Sequence, residues 1–405
     1  MKISFCALAL IGVAGLAYAL FQPIIEWNFG WNLIPEDRNE ISFEGMEDPI
    51  YIEAINSSKQ HLDSVLNTSE APSISIAAMI HGRMIWSYAV GFKDLEKRLP
   101  ADTATKYRIG SVSKALTSLG LGRAIEKNQI HLDSSLQFYA PIFEGKPDIT
   151  IRQLASHQSG IRNYGVCFCF PIWEYYRDKN FQSIKQSLSD FKDDPLLFNP
   201  GESFSYSSYN YVALSYAIER ASDRNFLSYM GEYVFSPLQI HNTEADKPKE
   251  YANRATPYDV ENRSYKRSFT VNLSNKWAGG GFISTPSDLV RAGNALLDSS
   301  FLSPRTIEML TSPQALNDGS INEQNYALGW RHDFSEKYFD GTKKVEVIHH
   351  GGMAMGGLAL LVVYPEYDLV VAITMNKSGQ RGRFELFDII APVVEELIKI
   401  HEVFN

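Results

Sequence analysis

Hydrophobic positions along this chain change rhythm in a fixed order. From Ile3 to Phe21 the sequence is uncharged and apolar on every helical face. Residues 22–44 are polar, contain Trp and show no period. A helical spacing then runs from Pro49, a favoured first helical residue, to Leu66. Two β-type runs follow, Ser73 to Ile80 and Met84 to Val90, with His81-Gly82-Arg83 as the turn between them. From residue 115 to about 340, beginning with Ala115 to Glu126, helix-like segments alternate with long polar loops. Three more β-type runs come late, Val345 to His349, Leu358 to Tyr364 and Leu369 to Met375. The last two flank Pro365-Glu366-Tyr367-Asp368, a turn signal, and so predict a hairpin. A helix-like tail, Phe384 to Ile400, follows.

This order predicts an α/β (α+β) fold: an antiparallel sheet built from both chain ends, flanked by helices, with a large and mostly helical insertion. The expected division is an N-terminal segment over 1–24, a linker over 25–48 and one domain over 49–403. Its sheet lobe would take 49–110 and 340–403, its helical lobe 111–339.

Charge and cysteine usage narrow the partners. The net charge is −9 and no Lys/Arg cluster is interleaved with aromatics, which disfavours nucleic acid and leaves a small-molecule or peptide substrate. Met1-Lys2, the apolar run and Ala17-Tyr18-Ala19 fit either a membrane anchor or a secretory signal cut after Ala19. Both place the folded part away from the cytoplasm, periplasmic, extracellular or tethered to the outer side of a membrane. Of three cysteines, Cys6 lies in that run, and Cys167 and Cys169 read as small apolar residues of an aromatic loop. They supply neither a disulfide framework nor a four-cysteine zinc site, and no His-Glu-x-x-His occurs, so no metal or cofactor is expected. The sequence carries no signal for oligomeric state.

The chemistry concentrates in three places. Gly110-Ser111-Val112-Ser113-Lys114 sets a Ser and a Lys three apart at a helix start, on one face, so the amine can take the hydroxyl proton without a His. A second such spacing, Ser189-Asp190-Phe191-Lys192, lacks that setting and reads as a solvated surface run. In Ser205-Tyr206-Ser207-Ser208, ahead of the apolar run Val212 to Ile218, Tyr206 could serve as a general base if a neighbouring ammonium lowered its pKa from about 10. At His349-His350-Gly351-Gly352 the glycines would admit a substrate backbone, while strand alternation opposes both histidines facing one cleft. The glycine run of Trp277-Ala278-Gly279-Gly280-Gly281, followed by Thr285-Pro286-Ser287-Asp288 as a helix cap, reads as architecture. A Gly-x-Ser-x-Gly elbow and a Gly-x-Gly-x-x-Gly loop are absent.

Together these segments, with Gly91-Phe92-Lys93-Asp94-Leu95-Glu96 and Leu154-Ala155-Ser156-His157-Gln158-Ser159-Gly160, resemble the serine β-lactamase-related family of class C β-lactamases, penicillin-binding proteins, D-aminopeptidases and esterases. The likeness is greatest to its serine β-lactamase-like branch, mitochondrial and bacterial. It implies a β-lactamase/transpeptidase-like fold and a serine hydrolase, with Ser111 as acylated nucleophile, Lys114 as its proton partner and Tyr206 as base of a Tyr-x-Asn motif. Ser208 replaces that Asn, and His349-His350-Gly351 would stand for Lys-Thr-Gly as substrate-binding residues. The resemblance places the oxyanion donors at the N–H groups of Ser111 and Gly352. With His for Lys, weak β-lactamase activity and better turnover of uncharged esters or peptides are expected. A slow-turnover penicillin-binding protein and a catalytically silent scaffold are the alternatives.

Overall fold

A computed structural model describes residues 5–27, 29–165, 174, 178–247, 251–378 and 385–404. Cys167 and Cys169 lie outside the described residues. Helix α1 (Phe5–Trp27) covers the N-terminal apolar run, with Leu8 to Tyr18 exposed. Among the described residues no helix is long and apolar enough to cross a membrane.

One antiparallel sheet organises the rest. Its strands are β1 (Ser42–Glu47), β2 (Ser73–Ile80), β3 (Arg83–Asp94), β4 (Arg331–Ser335), β5 (Val345–Ala354), β6 (Gly357–Tyr364) and β7 (Leu369–Met375), in the spatial order β4-β5-β6-β7-β2-β3-β1. The short strand Leu99–Pro100 pairs with β3 as the eighth. The two chain ends meet where β7 pairs with β2, Leu369 opposite Ile80 and Met375 opposite Ile74. The two hairpins form for different local reasons. His81 and Gly82 both take positive φ, as a two-residue turn between twisted strands requires, whereas Pro365–Tyr367 makes a single 3₁₀ turn closed by Asp368 in the left-handed region.

Alternation along β7 divides the interior in two. Leu369, Val371, Ile373 and Met375 face helices α2 (Ile52–Thr68) and α6 (Glu385–Phe404), sharing a core with Leu62, Leu66, Val394 and Leu397. Between those two helices in sequence come α3 (Val112–Glu126), α4 (Ser208–Ser222) and α5 (Pro286–Asn294). Val370 and Ala372 face this helical lobe and its core of Leu116, Leu119, Leu214 and Leu289. A strand buried on both faces has no polar side to show, hence a run that is apolar but for Thr374. Each such Val or Ile contributes about 1.5–3 kcal/mol by leaving water. Thr285 caps α5 by accepting the Asp288 N–H at 3.2 Å, with Pro286 at the first helical position.

The structure departs from the sequence-based expectation in two places. The segment taken as linker contains β1, which pairs with Trp86 to Val90 as the sheet edge. Ser42-Phe43-Glu44-Gly45-Met46-Glu47 has no apolar alternation because it is exposed along nearly its whole length. The insertion is also less purely helical than expected. It holds a three-stranded sheet of Tyr107–Arg108, Phe282–Ser284 and Glu244–Ala245, and a hairpin of Tyr258–Glu261 with Ser264–Arg267.

Candidate active site

Ser111 sits at the N-cap of α3, directly after Gly110 at φ +49°. A Cβ on Gly110 would lie 2.6 Å from the Met353 backbone, and one on Gly352 would lie 1.9 Å from the Ile109 carbonyl oxygen. Only glycine at both points lets β5 close against the start of α3. Ser111 remains partly exposed beside Gly280 and Met353.

One turn on, Lys114 is wholly buried. Its amine contacts Ser111 Oγ at 3.2 Å, Ser208 Oγ at 3.1 Å and the Gly279 carbonyl. Burial, reinforced by Arg331 and Lys276, pushes the amine well below the ordinary lysine value. A neutral amine has two N–H donors and one lone pair. The carbonyl of Gly279 can only accept, Ser208 Oγ takes the second N–H, and the lone pair is left for the Ser111 hydroxyl proton. Gly279 belongs to the glycine run read as architecture, so that run reaches into the site through a backbone oxygen. Lys276, also buried and beside the same pocket, is pushed down to about 8 by burial and Arg108 against the pull of Glu174.

Tyr206, in the loop ahead of α4, is hydrogen-bonded to Ser111 and lies with its ring centre 4.7 Å from Lys114 Nζ. The lowered phenol expected from a neighbouring ammonium is corrected here. Burial pushes Tyr206 up, with Arg331 and the Ser111 bond opposing. The group held ready to accept a proton is the amine, and the phenol stays protonated as a donor.

Strand β5 corrects two further expectations. Val345 and Val347 face the α2/α6 core and Ile348 faces the helical lobe, so alternation turns His349 away from the site and His350 toward it. His349 bonds Asp333 at 3.0 Å and packs edge-on against Phe387 at 4.8 Å. His350 is buried, donates from Nδ1 to the Gly351 carbonyl at 2.7 Å and accepts the Tyr326 hydroxyl at Nε2, 3.0 Å away. Burial, with Arg331, pushes His350 well down, so it is neutral. A His349→Lys substitution is therefore expected to leave the ratio of kcat/KM between a neutral ester and a carboxylate-bearing β-lactam within about twofold, since the new ammonium points into the other core.

The second correction concerns the oxyanion donor. Ala354 pairs with Gly357 across the two-residue turn Met355-Gly356, and Gly352 pairs with Ala359. The residues flanking such a turn are hydrogen-bonded to each other, and along an antiparallel ladder every second pair is. Gly352 N–H is thus spent inside the ladder, while the N–H groups of Gly351 and Met353 point to the opposite edge. Strand β4 covers that edge only as far as His349. Met353, not Gly352, presents a free backbone donor on the side of Ser111.

Two residues of the site were given no role by the sequence. Arg331, first residue of β4, holds its guanidinium 5.6 Å from the Tyr206 ring centre and 5.1 Å from that of Tyr326, and bonds Gln324 at 2.6 Å. Its charge helps push Lys114, His157 and His350 down. His157 is buried at positive φ, lies with its ring tilted against that of Tyr206 at 4.2 Å and accepts the Ser207 N–H at Nδ1. Both act through what they touch. Ser189 is exposed and Lys192 pairs with Asp193, as a surface run does.

Comparison with known proteins places this geometry. The Beta-lactamase family profile matches residues 59–395. The chain is 31% identical over 417 residues to the serine β-lactamase-like protein LACTB, mitochondrial, of Homo sapiens, covering 82% of this chain and 76% of that one. Among solved structures, a penicillin binding protein from Bacillus halodurans superposes with TM-score 0.66 at 21% identity, over 85% of this chain and 99% of that one. The D-amino acid amidase from Ochrobactrum anthropi SV3, solved with L-phenylalanine amide, gives 0.70 at 18%, over 86% and 99%. Sheet, helical lobe and profile agree, and the chain belongs to the β-lactamase family as a serine hydrolase.

Proposed function

We propose that this protein cleaves an ester or amide bond of a small molecule or peptide through an acyl-enzyme on Ser111. The observation that carries this reading is the coordination of Lys114, whose buried amine has one lone pair and the Ser111 hydroxyl to direct it at. Lys114 takes the proton as Ser111 Oγ attacks the carbonyl carbon. The oxyanion then meets the N–H groups of Ser111 and Met353 at the mouth of α3, where the helix dipole adds to the stabilisation. The proton returns to the leaving group from Lys114, with the Tyr206 phenol alongside as a second donor, and water repeats the sequence to release the acyl group.

On β5, facing the site, the chain offers a neutral His350 instead of an ammonium. Losing a charged hydrogen bond of that kind weakens a carboxylate's binding by roughly ten- to a hundredfold, which favours uncharged esters or peptides over β-lactams. The apolar N-terminal run supports a folded part held outside the cytoplasm.

Burst kinetics test the reading. A p-nitrophenyl ester should give one rapid equivalent of nitrophenol per Ser111 followed by steady turnover, with an acyl adduct on the Ser111 peptide in quenched samples. A burst without turnover on ester and β-lactam alike would assign the slow penicillin-binding alternative. The absence of any adduct would assign the silent scaffold.

A further inference from the structure

A cavity of about 550 Å³ lies beside the catalytic cleft, between the end of β3, Arg108 and the segments 246–247, 251–257 and 267–271. Val271 lines both this cavity and the small pocket at Ser111, so the two are neighbours across one side chain. The cavity's charge opposes that of the chain. Lys93, Lys97, Arg108, Lys247, Arg254 and Arg267 face three carboxylates, Asp94, Asp178 and Asp246, in a protein of net charge −9. Lys93 and Arg267 are matched by Asp102 and by Glu96 with Asp94.

The excess is built into the floor. Asp246 alone receives two guanidiniums, Arg108 Nε at 2.7 Å and Arg254 at 2.9 Å. One buried and one half-buried cation on a single buried anion leave a positive charge uncompensated, and Arg254 Nε, itself buried, has no hydrogen-bond partner among the described residues. Both are costly in a closed structure, and both are relieved by an anion that supplies charge and acceptors together. The floor is also tied to the nucleophile's surroundings. Arg108 stands three residues before Ser111, and its Nη1 donates at 2.9 Å to the carbonyl of Met355 in the turn that follows Met353.

We propose that this cavity is an anion-binding annex of the cleft, seating a phosphate or carboxylate group against Arg254 and Arg108. The anion's source is either the far end of an acyl substrate that reaches past Val271 from Ser111, or a separate phosphate compound. Only the first source rests on the acyl-enzyme reading above. A distal anion is compatible with a neutral His350 on the β5 side of the site, because the two ends of the substrate would meet different residues.

The test uses the full chain and inorganic pyrophosphate in a calorimeter. The unaltered protein and Ser111→Ala should bind it equally. Arg254→Gln, which leaves a balanced Arg108–Asp246 pair and so retains the fold, should weaken binding about ten- to a hundredfold. Lys97→Gln on the exposed rim should weaken it a fewfold, and salt should weaken it further. No binding by the unaltered protein, or equal binding by an Arg254→Gln protein of unchanged melting temperature, overturns the proposal. Two reporter esters then separate the sources. If pyrophosphate competes with mono-p-nitrophenyl adipate, and Arg254→Gln raises KM for that anionic ester more than for p-nitrophenyl butyrate, the anion is part of the substrate. If pyrophosphate changes kcat for both esters without competing, the anion is a separate ligand. If neither ester is hydrolysed, the acyl-enzyme reading fails while the calorimetry still decides the cavity.

Discussion

Replacing Lys114 by Arg should cost as much acylation of Ser111 as Lys114→Ala does. The argument is one of protonation, not of size. Lys114 accepts a proton only because burial beside Arg331 and Lys276 holds its amine well below the ordinary lysine value. A guanidinium stays charged under all working conditions, so Lys114→Arg keeps a cation next to Ser111 and loses the lone pair. Removal of a positioned general base costs about 10²–10⁴-fold. Labelling by a fluorophosphonate, followed with time on folded protein, measures it, and near-normal labelling of the Arg variant would remove Lys114 from the base role. The pH dependence has a definite sign. Acylation needs the unprotonated amine, so the rate falls on acidification through the lowered pKa and is flat above it. An ordinary lysine would instead show a rate still rising near pH 10.

Met353→Pro should lower acylation about 10²–10³-fold while leaving the fold intact, and Gly352→Pro should unfold the end of β5. The contrast follows from the ladder alone. Proline removes one N–H, which the sheet tolerates where that N–H points to an unpaired edge and does not tolerate inside a pair. Met353 is in the first position and Gly352 in the second. The loss is that of one oxyanion donor aimed at charge that develops only in the transition state. Melting temperatures together with acylation rates check it. Full activity in Met353→Pro would return the donor to another residue.

Much of the frame and half of the site were legible in the sequence, and the division has physical causes. Leu369 to Met375 and Ser73 to Ile80 announced themselves because central strands are apolar on both faces. Ser42 to Glu47 did not, because an exposed edge strand has no buried face to mark it. Ser111 and Lys114 are related by a local spacing that any helix enforces. The choice between His349 and His350 is not local. A period of two says that they part company, and only the register against β6 and β4 says which goes where. The same register moved the backbone donor from Gly352 to Met353. The state of Tyr206 was read the wrong way because sequence places an ammonium beside it without showing that the phenol is buried, and burial pushes it up.

The pairing of β7 with β2 bears on how the molecule is made. Ser111 leaves the ribosome early, and Met353 follows at about 5–20 residues per second, a delay on the order of tens of seconds. During that interval the nucleophile's helix can form, but the strand that supplies its second backbone donor has not been synthesised. A sheet closed by its latest strands also has high contact order, so docking of β5 to β7 against β2 is the slow, non-local step. The nascent chain therefore carries a serine with no oxyanion cradle, and hydrolytic competence arrives only with the final closure of the sheet.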